Sequence, residues 1–297
     1  MPGAGGEVRV AMLGGDEREV VLLKALLDRG FDVVAAGFPE MPGLGRFTRA
    51  RTVHEAVSGA GAVVCPMKST DHEGVIQACL DPAARLVLDE EAFALMGEGT
   101  PLFIGTAKPK IEYLAAKYGV RLIQVAELDE VAILNSIPTA EGAIARAMAE
   151  LDVTLHGSRA VVLGFGRCAA TLARMLAGIG ARVRVVARDR AQLARAFEMG
   201  FETGRLDELP LWVRDAAVVF NTVPAMVLGR EALSCLPQSA VVIDIASAPG
   251  GTDFEAAREL GIRAFLELGI PGKVAPRTAG QILANVLPAL IAEACGL

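Results

Sequence analysis

Short, unbroken apolar runs alternate along this chain with longer segments in which apolar residues recur every three or four positions. The first pattern marks strands buried on both faces, and the second marks amphipathic helices. Residues 7–14 read as a first strand, closed by Gly14-Gly15-Asp16. A helix over 17–29 follows, with Val20, Val21, Leu23, Leu26 and Leu27 on its apolar face, and Gly30 ends it before a strand at 31–36. The alternation continues with a helix at 53–57, strands at 60–65, 101–105 and 121–125, and a helix at 111–118, while 86–89 is apolar but too short to assign. After a long helix over 140–151 the pattern restarts. Strands at 160–163, 183–187, 218–220, 240–244 and 262–266 are separated by helices that begin near 169, 190 and Asp253. A last amphipathic helix, 278–295, carries Pro288, which breaks or bends it.

Strands that alternate with helices build parallel, doubly wound sheets. The fold class is α/β, with two doubly wound parallel-sheet domains. Residues 1–138, completed by the C-terminal helix 278–297, form an N-terminal domain on the substrate side. Residues 139–277 form a Rossmann dinucleotide-binding domain. The two long helices are expected at the domain junction.

The second domain opens on Ala160-Val-Val-Leu-Gly-Phe-Gly-Arg-Cys-Ala-Ala170, a buried strand, a glycine turn and a helix start. Gly164, Gly166 and Ala169 fill the three small positions of the G-x-G-x-x-G/A fingerprint, with Arg167 among them. The first permits the tight turn, the second lets backbone approach a pyrophosphate, and the third lets helix pack on strand. The pattern also occurs as a structural turn beside an empty cleft, but the flanking strand, the helix and the second strand supply the context that a dinucleotide site requires. Arg188 stands at the tip of that second strand, 24 residues after Gly164. NAD-binding units usually place an acid there for the ribose 2′-hydroxyl. A guanidinium suits a 2′-phosphate instead, so NADP is expected ahead of NAD. In the competing reading Asp189 takes the ribose and Arg188 is a solvated charge. Asn221, Thr222 and Pro224 after the strand at 218–220, with Ala246 after 240–244, are the small or polar groups over which a cofactor passes.

Composition narrows the class. The apolar fraction is 53%, yet no uninterrupted apolar run reaches the ~18 residues of a spanning helix. Residues 1–6 lack a charged start and an apolar stretch, so no secretory leader is expected. A net charge of −6 argues against a general nucleic-acid binder. Five scattered cysteines without a C-x-x-C pair, and three histidines without ligand spacing, fit reduced thiols in the cytoplasm and no metal site.

Ligands of doubly wound sheets lie outside the carboxyl ends of the strands. That rule sets Gly14, Lys68, Ser69, Thr70, Thr106 and Lys108 on one rim of the first domain. Gly14-Gly15 reads either as a second phosphate loop or as a bare turn. Asn135-Ser-Ile-Pro-Thr-Ala-Glu-Gly142 is polar and contains proline, so it reads as a loop before the helix at 140–151, with Ser136 or Thr139 as the cap. Such a helix start attracts carboxylates, or does no more than cap. Leu268-Gly-Ile-Pro-Gly-Lys-Val-Ala-Pro-Arg277 reads as a basic loop. Lys108, Ser136 and Thr139 are therefore the catalytic candidates, and Ser69, Thr106, Asn135, Lys273 and Arg277 the substrate-binding ones. His72 is a second candidate base, within a surface run of Thr-Asp-His-Glu.

Three stretches carry a wider resemblance: Asn135-Ser-Ile-Pro-Thr-Ala-Glu-Gly142, Ile243-Asp-Ile-Ala-Ser-Ala-Pro-Gly-Gly-Thr-Asp253, and Pro271-Gly-Lys-Val-Ala-Pro-Arg-Thr-Ala-Gly280. With the Gly164-Phe-Gly166 turn between them, the chain resembles the A subunits of bacterial dipicolinate synthases over nearly its whole length. Residues 37–100 are the least distinctive part. The resemblance implies oxidation of a dihydrodipicolinate-type intermediate of the lysine pathway, or its hydrated form, to the aromatic dicarboxylate with a nicotinamide cofactor. It also implies a role in endospore formation in the mother cell, and a partner in the form of a flavoprotein-like B subunit. A planar dicarboxylate needs two anion sites, for which the helix start at Ser136/Thr139, Lys108 and the Lys273/Arg277 segment are the candidates. A homodimer is expected because symmetric oligomers are the common outcome.

Other classes fit less well. Two-domain hydroxyacid dehydrogenases use a histidine from the C-terminal half, and no histidine follows His156 here. The Asn-x-Thr-x-Pro-His-Lys segment of shikimate-type enzymes is not found. A regulatory or scaffold protein that binds NADP without turnover is the non-enzymatic alternative, and the lack of a clear acid/base pair keeps it open.

Overall fold

The structure, a computed structural model, describes residues 8–41 and 43–297. The leader reading of residues 1–6, the start of the first strand at Glu7, and Pro42 within the loop at 39–45 lie outside the described residues. The chain divides into two compact units, Met1–Ala132 with Pro276–Leu297, and Ile133–Ala275.

The first unit runs β1 (Arg9–Leu13), α1 (Glu17–Asp28), β2 (Asp32–Ala36), β3 (Thr48–Ala50), α2 (Val53–Val57), β4 (Ala62–Val64), β5 (Val75–Ile76) and β6 (Leu86–Val87). It continues through α3 (Glu90–Met96), β7 (Pro101–Ile104), α4 (Pro109–Tyr118) and β8 (Arg121–Gln124). Six strands form one parallel sheet in the order β3-β2-β1-β4-β7-β8. The central strands have almost no polar residues because helices cover both faces; Val10 to Leu13 and Leu102 to Ile104 are buried completely or nearly so. The short apolar stretch at 86–89 supplies β6, which pairs antiparallel with β5. β3 was not legible in the hydrophobic pattern, since two of its three residues are exposed.

The second unit takes most of α5 (Asp129–Glu150) and then β9 (Arg159–Leu163), α6 (Arg167–Ile179), β10 (Arg182–Ala187), α7 (Arg190–Glu198), β11 (Glu202–Arg205) and α8 (Leu209–Trp212). It closes with β12 (Val218–Asn221), α9 (Arg230–Ser234), β13 (Val241–Asp244), α10 (Phe254–Glu259), β14 (Arg263–Leu266) and α11 (Ile270–Val274). Its sheet is parallel throughout, in the order β11-β10-β9-β12-β13-β14. Within each unit this is the 3-2-1-4-5-6 order of a Rossmann fold, whose switch point lies between the first and fourth strands. α12 (Pro276–Ala294) returns to the first unit and packs on α1, where a side chain at Gly280 would press within 2.9 Å of Val21.

Two stretches differ from the sequence expectation. Asn135 to Gly142 is not a loop but the middle of α5, with Pro138 inside the helix. The hydroxyls of Ser136 and Thr139, which suggested caps, donate to the carbonyls of Ile133 (2.5 Å) and Asn135 (2.7 Å) one turn earlier. Gly142 is small because α11 crosses there: a Cβ would collide with Ile270 and lie 3.1 Å from Val274. The segment expected as a basic loop at 268–277 is α11 and the start of α12, each opened by a proline that a first helical turn tolerates.

Candidate functional site

The glycine turn of the second unit is built by close approach. Gly164 leaves β9 with φ +86, donates its N–H to the carbonyl of Val186 (2.8 Å), and lies where a Cβ would come within 2.8 Å of Thr222 Oγ1. Only glycine meets both demands. Gly166 forms the N-cap of α6 in extended geometry, and an added Cβ would meet no protein atom within 4 Å. Ala169 is fully buried against the sheet. No side chain caps α6, so its first-turn N–H groups face the recess above the turn. That recess measures about 330 Å³ and runs from Gly164 and Gly166 past Ala187, Arg188 and Leu206 to Val223 and Pro224.

The corresponding corner of the first unit is closed. Asp16 caps α1, and Glu19 reaches back to the Asp16 N–H at 2.8 Å in a capping box. Glu19 also accepts the N–H of Met67 at 3.0 Å, which ties the turn after β1 to the loop after β4. Burial pushes the Glu19 carboxyl above its ordinary range. Burial opposes ionisation of Asp16 as well, but hydrogen bonds and charge from Arg18 outweigh it and bring that carboxyl to about 2. Two carboxylates thus fill the helix start where a phosphate would sit. Of the two readings of Gly14-Gly15, the structure supports the bare turn.

Around the open recess, Arg188 follows β10, is exposed, and has no hydrogen-bond or ion-pair partner among the described residues. Asp189 caps α7 by accepting the Gln192 N–H at 2.8 Å. Gln192 in turn accepts the N–H of Phe165 within the glycine turn at 3.1 Å. One oxygen of Asp189 is therefore engaged in holding the turn. Arg167 opens α6 and lies exposed on its first turn.

Beneath the recess, Asn221 and Asp244 end β12 and β13 with no solvent exposure. Asp244 accepts from Asn221 Nδ2 (3.0 Å), Gly251 N (2.8 Å), Thr252 Oγ1 (2.7 Å) and Ala246 N (3.0 Å). Asn221 exchanges two further bonds with the backbone of Val223, both at 3.1 Å. Asn221 and Ala246 thus act below the surface a cofactor would touch, whereas Thr222 and Pro224 line the recess and Thr222 Oγ1 bonds the carbonyl of Leu163 (2.8 Å). Asp244 and Gln192 were not singled out from the sequence. An acid directly after three apolar strand residues was the available signal for the first.

On the first unit's rim, Ser69 adopts φ +66 and its hydroxyl donates to the carbonyl of Thr106, joining two predicted residues. Lys108 is the N-cap residue of α4, half-buried, and its side chain has no hydrogen-bond or ion-pair partner among the described residues. Lys68 instead lies 3.5 Å from Asp16 and 3.7 Å from Cys79 Sγ. Thr70 is buried and its hydroxyl has no partner among the described residues. His72 is exposed.

Asn135, Ser136 and Thr139 belong to the second unit, within α5. Ser136 is buried against Thr171, hydroxyl to hydroxyl at 2.6 Å, and the helix start that would have bound a carboxylate there does not exist. Asn135 Oδ1 is buried without a hydrogen-bond partner among the described residues. Lys273 is exposed on α11, 4.0 Å from Glu267, and Arg277 is exposed on the first turn of α12, in the other unit. Two of the thiols are poor nucleophiles: burial pushes Cys65 to about 12 and Cys168, beside the glycine turn, to about 11. Among the described residues, no helix is long and apolar enough to cross a membrane.

Residues 9–126 match the family described as the N-terminal domain of the dipicolinate synthase A subunit, and residues 137–250 match D-isomer specific 2-hydroxyacid dehydrogenase, NAD binding domain. The chain is 38% identical over 287 residues to the dipicolinate synthase A subunit of Bacillus subtilis (strain 168), covering 96% of each chain. Among solved structures, the dipicolinate synthase A subunit from Bacillus halodurans superposes with a TM-score of 0.92 at 36% identity, covering 96% of this chain and 98% of that one. The A chain of dipicolinate synthase from Bacillus subtilis gives 0.91 at 37% identity, covering 98% and 97%. The second family match explains why a hydroxyacid dehydrogenase could be read into this half: the dinucleotide domain is shared, while no histidine follows His156.

Proposed function

This chain belongs to the family of dipicolinate synthase A subunits, and from that premise we propose that it catalyses NADP-dependent oxidation of dihydrodipicolinate, or its hydrated form, to dipicolinate. The observation that carries the cofactor half is the contrast between two helices in equivalent topological positions. The start of α1 is filled by Asp16 and Glu19, whereas the start of α6 has no capping side chain and opens at Gly166 onto a recess rimmed by Arg188, which is unpaired among the described residues. The residues fit a dinucleotide: main-chain N–H groups of α6 for the pyrophosphate, the Gly166 backbone for close approach, and Arg188 for a 2′-phosphate. The nicotinamide, when bound, supplies the hydride acceptor.

The protein's own task is then orientation and proton transfer, because forming an aromatic ring provides the driving force. Thr222 and Pro224 form the floor over which the cofactor lies. Asp244 and Asn221 hold that floor still. Lys108, whose side-chain nitrogen has no partner among the described residues, is the group we assign to the proton released, which it takes up as the neutral amine; the ammonium so formed faces a substrate carboxylate, with Ser69 and Thr106 beside it in the same unit. Asn135, Lys273 and Arg277 remain the candidates for the second carboxylate. Ser136 and Thr139, whose hydroxyls bond carbonyls within α5, carry no separate anion site. We further propose that the chain works in the cytoplasm of the sporulating mother cell, as a homodimer, with a flavoprotein-like B subunit.

The test is dipicolinate formation from freshly generated dihydrodipicolinate and NADP⁺, followed by ultraviolet absorbance, with and without the B subunit. Turnover by the chain alone supports this reading. Turnover only with the partner makes the chain a cofactor-presenting component. No turnover in either case, with NADPH still bound, overturns it in favour of a regulatory role.

A further inference from the structure

The recess above the glycine turn continues sideways over the edge of the sheet. β10 and β11 are parallel neighbours, and Ala187 is in register with Arg205, the last residue of β11. The tips of these strands therefore present Arg188 and Arg205 side by side. Together with Ala187, Leu206 and Asp207 they line a second hollow of about 360 Å³. Three of these residues, Ala187, Arg188 and Leu206, also line the dinucleotide recess. One continuous surface thus leads from Gly166 to Arg205.

Arg205 is held in a fork. Its Nε donates to Asp207 Oδ1 at 2.9 Å and its Nη2 to Asp207 Oδ2 at 3.0 Å. A guanidinium has five N–H donors, so this pairing leaves three, including both on Nη1. The carboxylate fixes the plane of the cation without exhausting it. As a stabilising ion pair this contact contributes little, because both side chains are more than half exposed. As a preset anion receptor it is well placed, since ordering the cation beforehand removes part of the entropy cost of binding.

We infer that Arg205 is a second specificity-determining residue, which with Arg188 clamps the 2′-phosphate of NADP between the tips of β10 and β11. The inference rests on the NADP reading above. It adds that selectivity comes from two cations on adjacent strands, not from Arg188 alone. Asp207 orients Arg205, and Leu206 supplies apolar surface between the two recesses.

The test is fluorescence titration of the full chain with NADPH and with NADH, for the wild type, Arg188→Ala, Arg205→Ala and the double variant. Thermal unfolding runs alongside; Arg205 is exposed, so its variant should melt with the wild type. Arg205→Ala should weaken NADPH by roughly 10- to 100-fold, the worth of a charge-assisted contact, and leave NADH within about twofold. Arg205→Lys should recover part of the NADPH affinity. If the wild type binds both cofactors equally, the NADP reading falls and this inference with it. If the wild type prefers NADPH, Arg188→Ala abolishes the preference and Arg205→Ala leaves it intact, then the inference about Arg205 alone is overturned. An equal loss for NADPH and NADH on Arg205→Ala would also overturn it, since the residue would then serve the shared adenosine.

Discussion

Asn221 donates from Nδ2 to Asp244 Oδ2 at 3.0 Å, and neither residue has any solvent exposure. The pair joins the carboxyl ends of two neighbouring strands directly beneath the candidate cofactor floor. The same Asp244 oxygen accepts from Gly251 and Thr252, and Oδ1 accepts from Ala246, so the carboxylate is surrounded by donors. Asp244→Asn replaces one acceptor oxygen with a donor that must face another donor. We expect a loss of about 2–4 kcal/mol in stability, read as a lower midpoint in urea or heat, together with weaker cofactor binding as the loop at 222–225 loosens. Wild-type stability in this variant would remove the pair's supporting role.

The cofactor preference assigned to Arg188 is tested by reversing its charge. Arg188→Asp sets an acid at the strand tip, where a ribose 2′-hydroxyl would be accepted and a 2′-phosphate repelled. NADPH affinity should fall by at least about tenfold, and NADH affinity should stay level or rise. Isothermal titration with both cofactors reads the two directly. A parallel fall in both would mean that Arg188 does not discriminate.

The doubly wound parallel architecture and the glycine turn were legible because both rest on local patterns: strands buried on both faces that alternate with helices, and four buried apolar residues before Gly164. β3 and β11 escaped because edge strands need bury only one side; Glu202 and Arg205 of β11 are exposed. The first half of α5, residues 129–139, escaped for a different reason. Ser136, Pro138, Thr139 and Gly142 are each turn-forming residues, and what makes them helical is tertiary. The Ser136 hydroxyl meets that of Thr171 on α6, and Gly142 admits α11 against the helix. The role of Asp244 was likewise invisible, because its four donors come from residues 221, 246, 251 and 252, which only the folded sheet assembles.

Asp16 makes a pH prediction. Its folded carboxyl titrates at about 2 because the Arg18 fork outweighs burial, while an unfolded aspartate titrates near 3.9. A depressed folded value gives stability that is complete above the unfolded value and is lost as pH falls towards 2. The size is about 2 kcal/mol by linkage. Buried Glu19, raised by its burial, acts oppositely, favouring the folded state as it protonates. Urea unfolding of the wild type and Asp16→Asn from pH 7 to pH 2 should show the largest gap at neutral pH, closing below pH 4. A gap independent of pH would refute the assignment.

Lys108 is the group on which the proposed proton transfer depends. Its side-chain nitrogen has no partner among the described residues, so removing it breaks no contact that holds the fold. Lys108→Met should keep the melting temperature and the NADPH affinity while lowering kcat/KM for dihydrodipicolinate by about 100-fold or more. Lys108→Arg should restore substrate KM more than kcat, since arginine binds a carboxylate but does not take up a proton. Unchanged steady-state kinetics in both variants would move the assignment to another residue.

Gly166 separates the cofactor function from the fold more sharply than Gly164 does. Its φ of −83 is open to every residue, and a Cβ there meets no protein atom within 4 Å. Gly166→Ala should therefore melt within a degree or two of the wild type. Gly164→Ala is the control: φ +86 and the Thr222 hydroxyl 2.8 Å from the new carbon make that substitution costly for the fold itself. If the pyrophosphate lies over the start of α6, the methyl of Gly166→Ala occupies its path and lengthens the main-chain N–H contacts. NADPH and NADH should then both weaken by at least about tenfold, because the pyrophosphate is common to them. A Gly166→Ala protein that is folded and binds both cofactors normally would move the dinucleotide away from this turn.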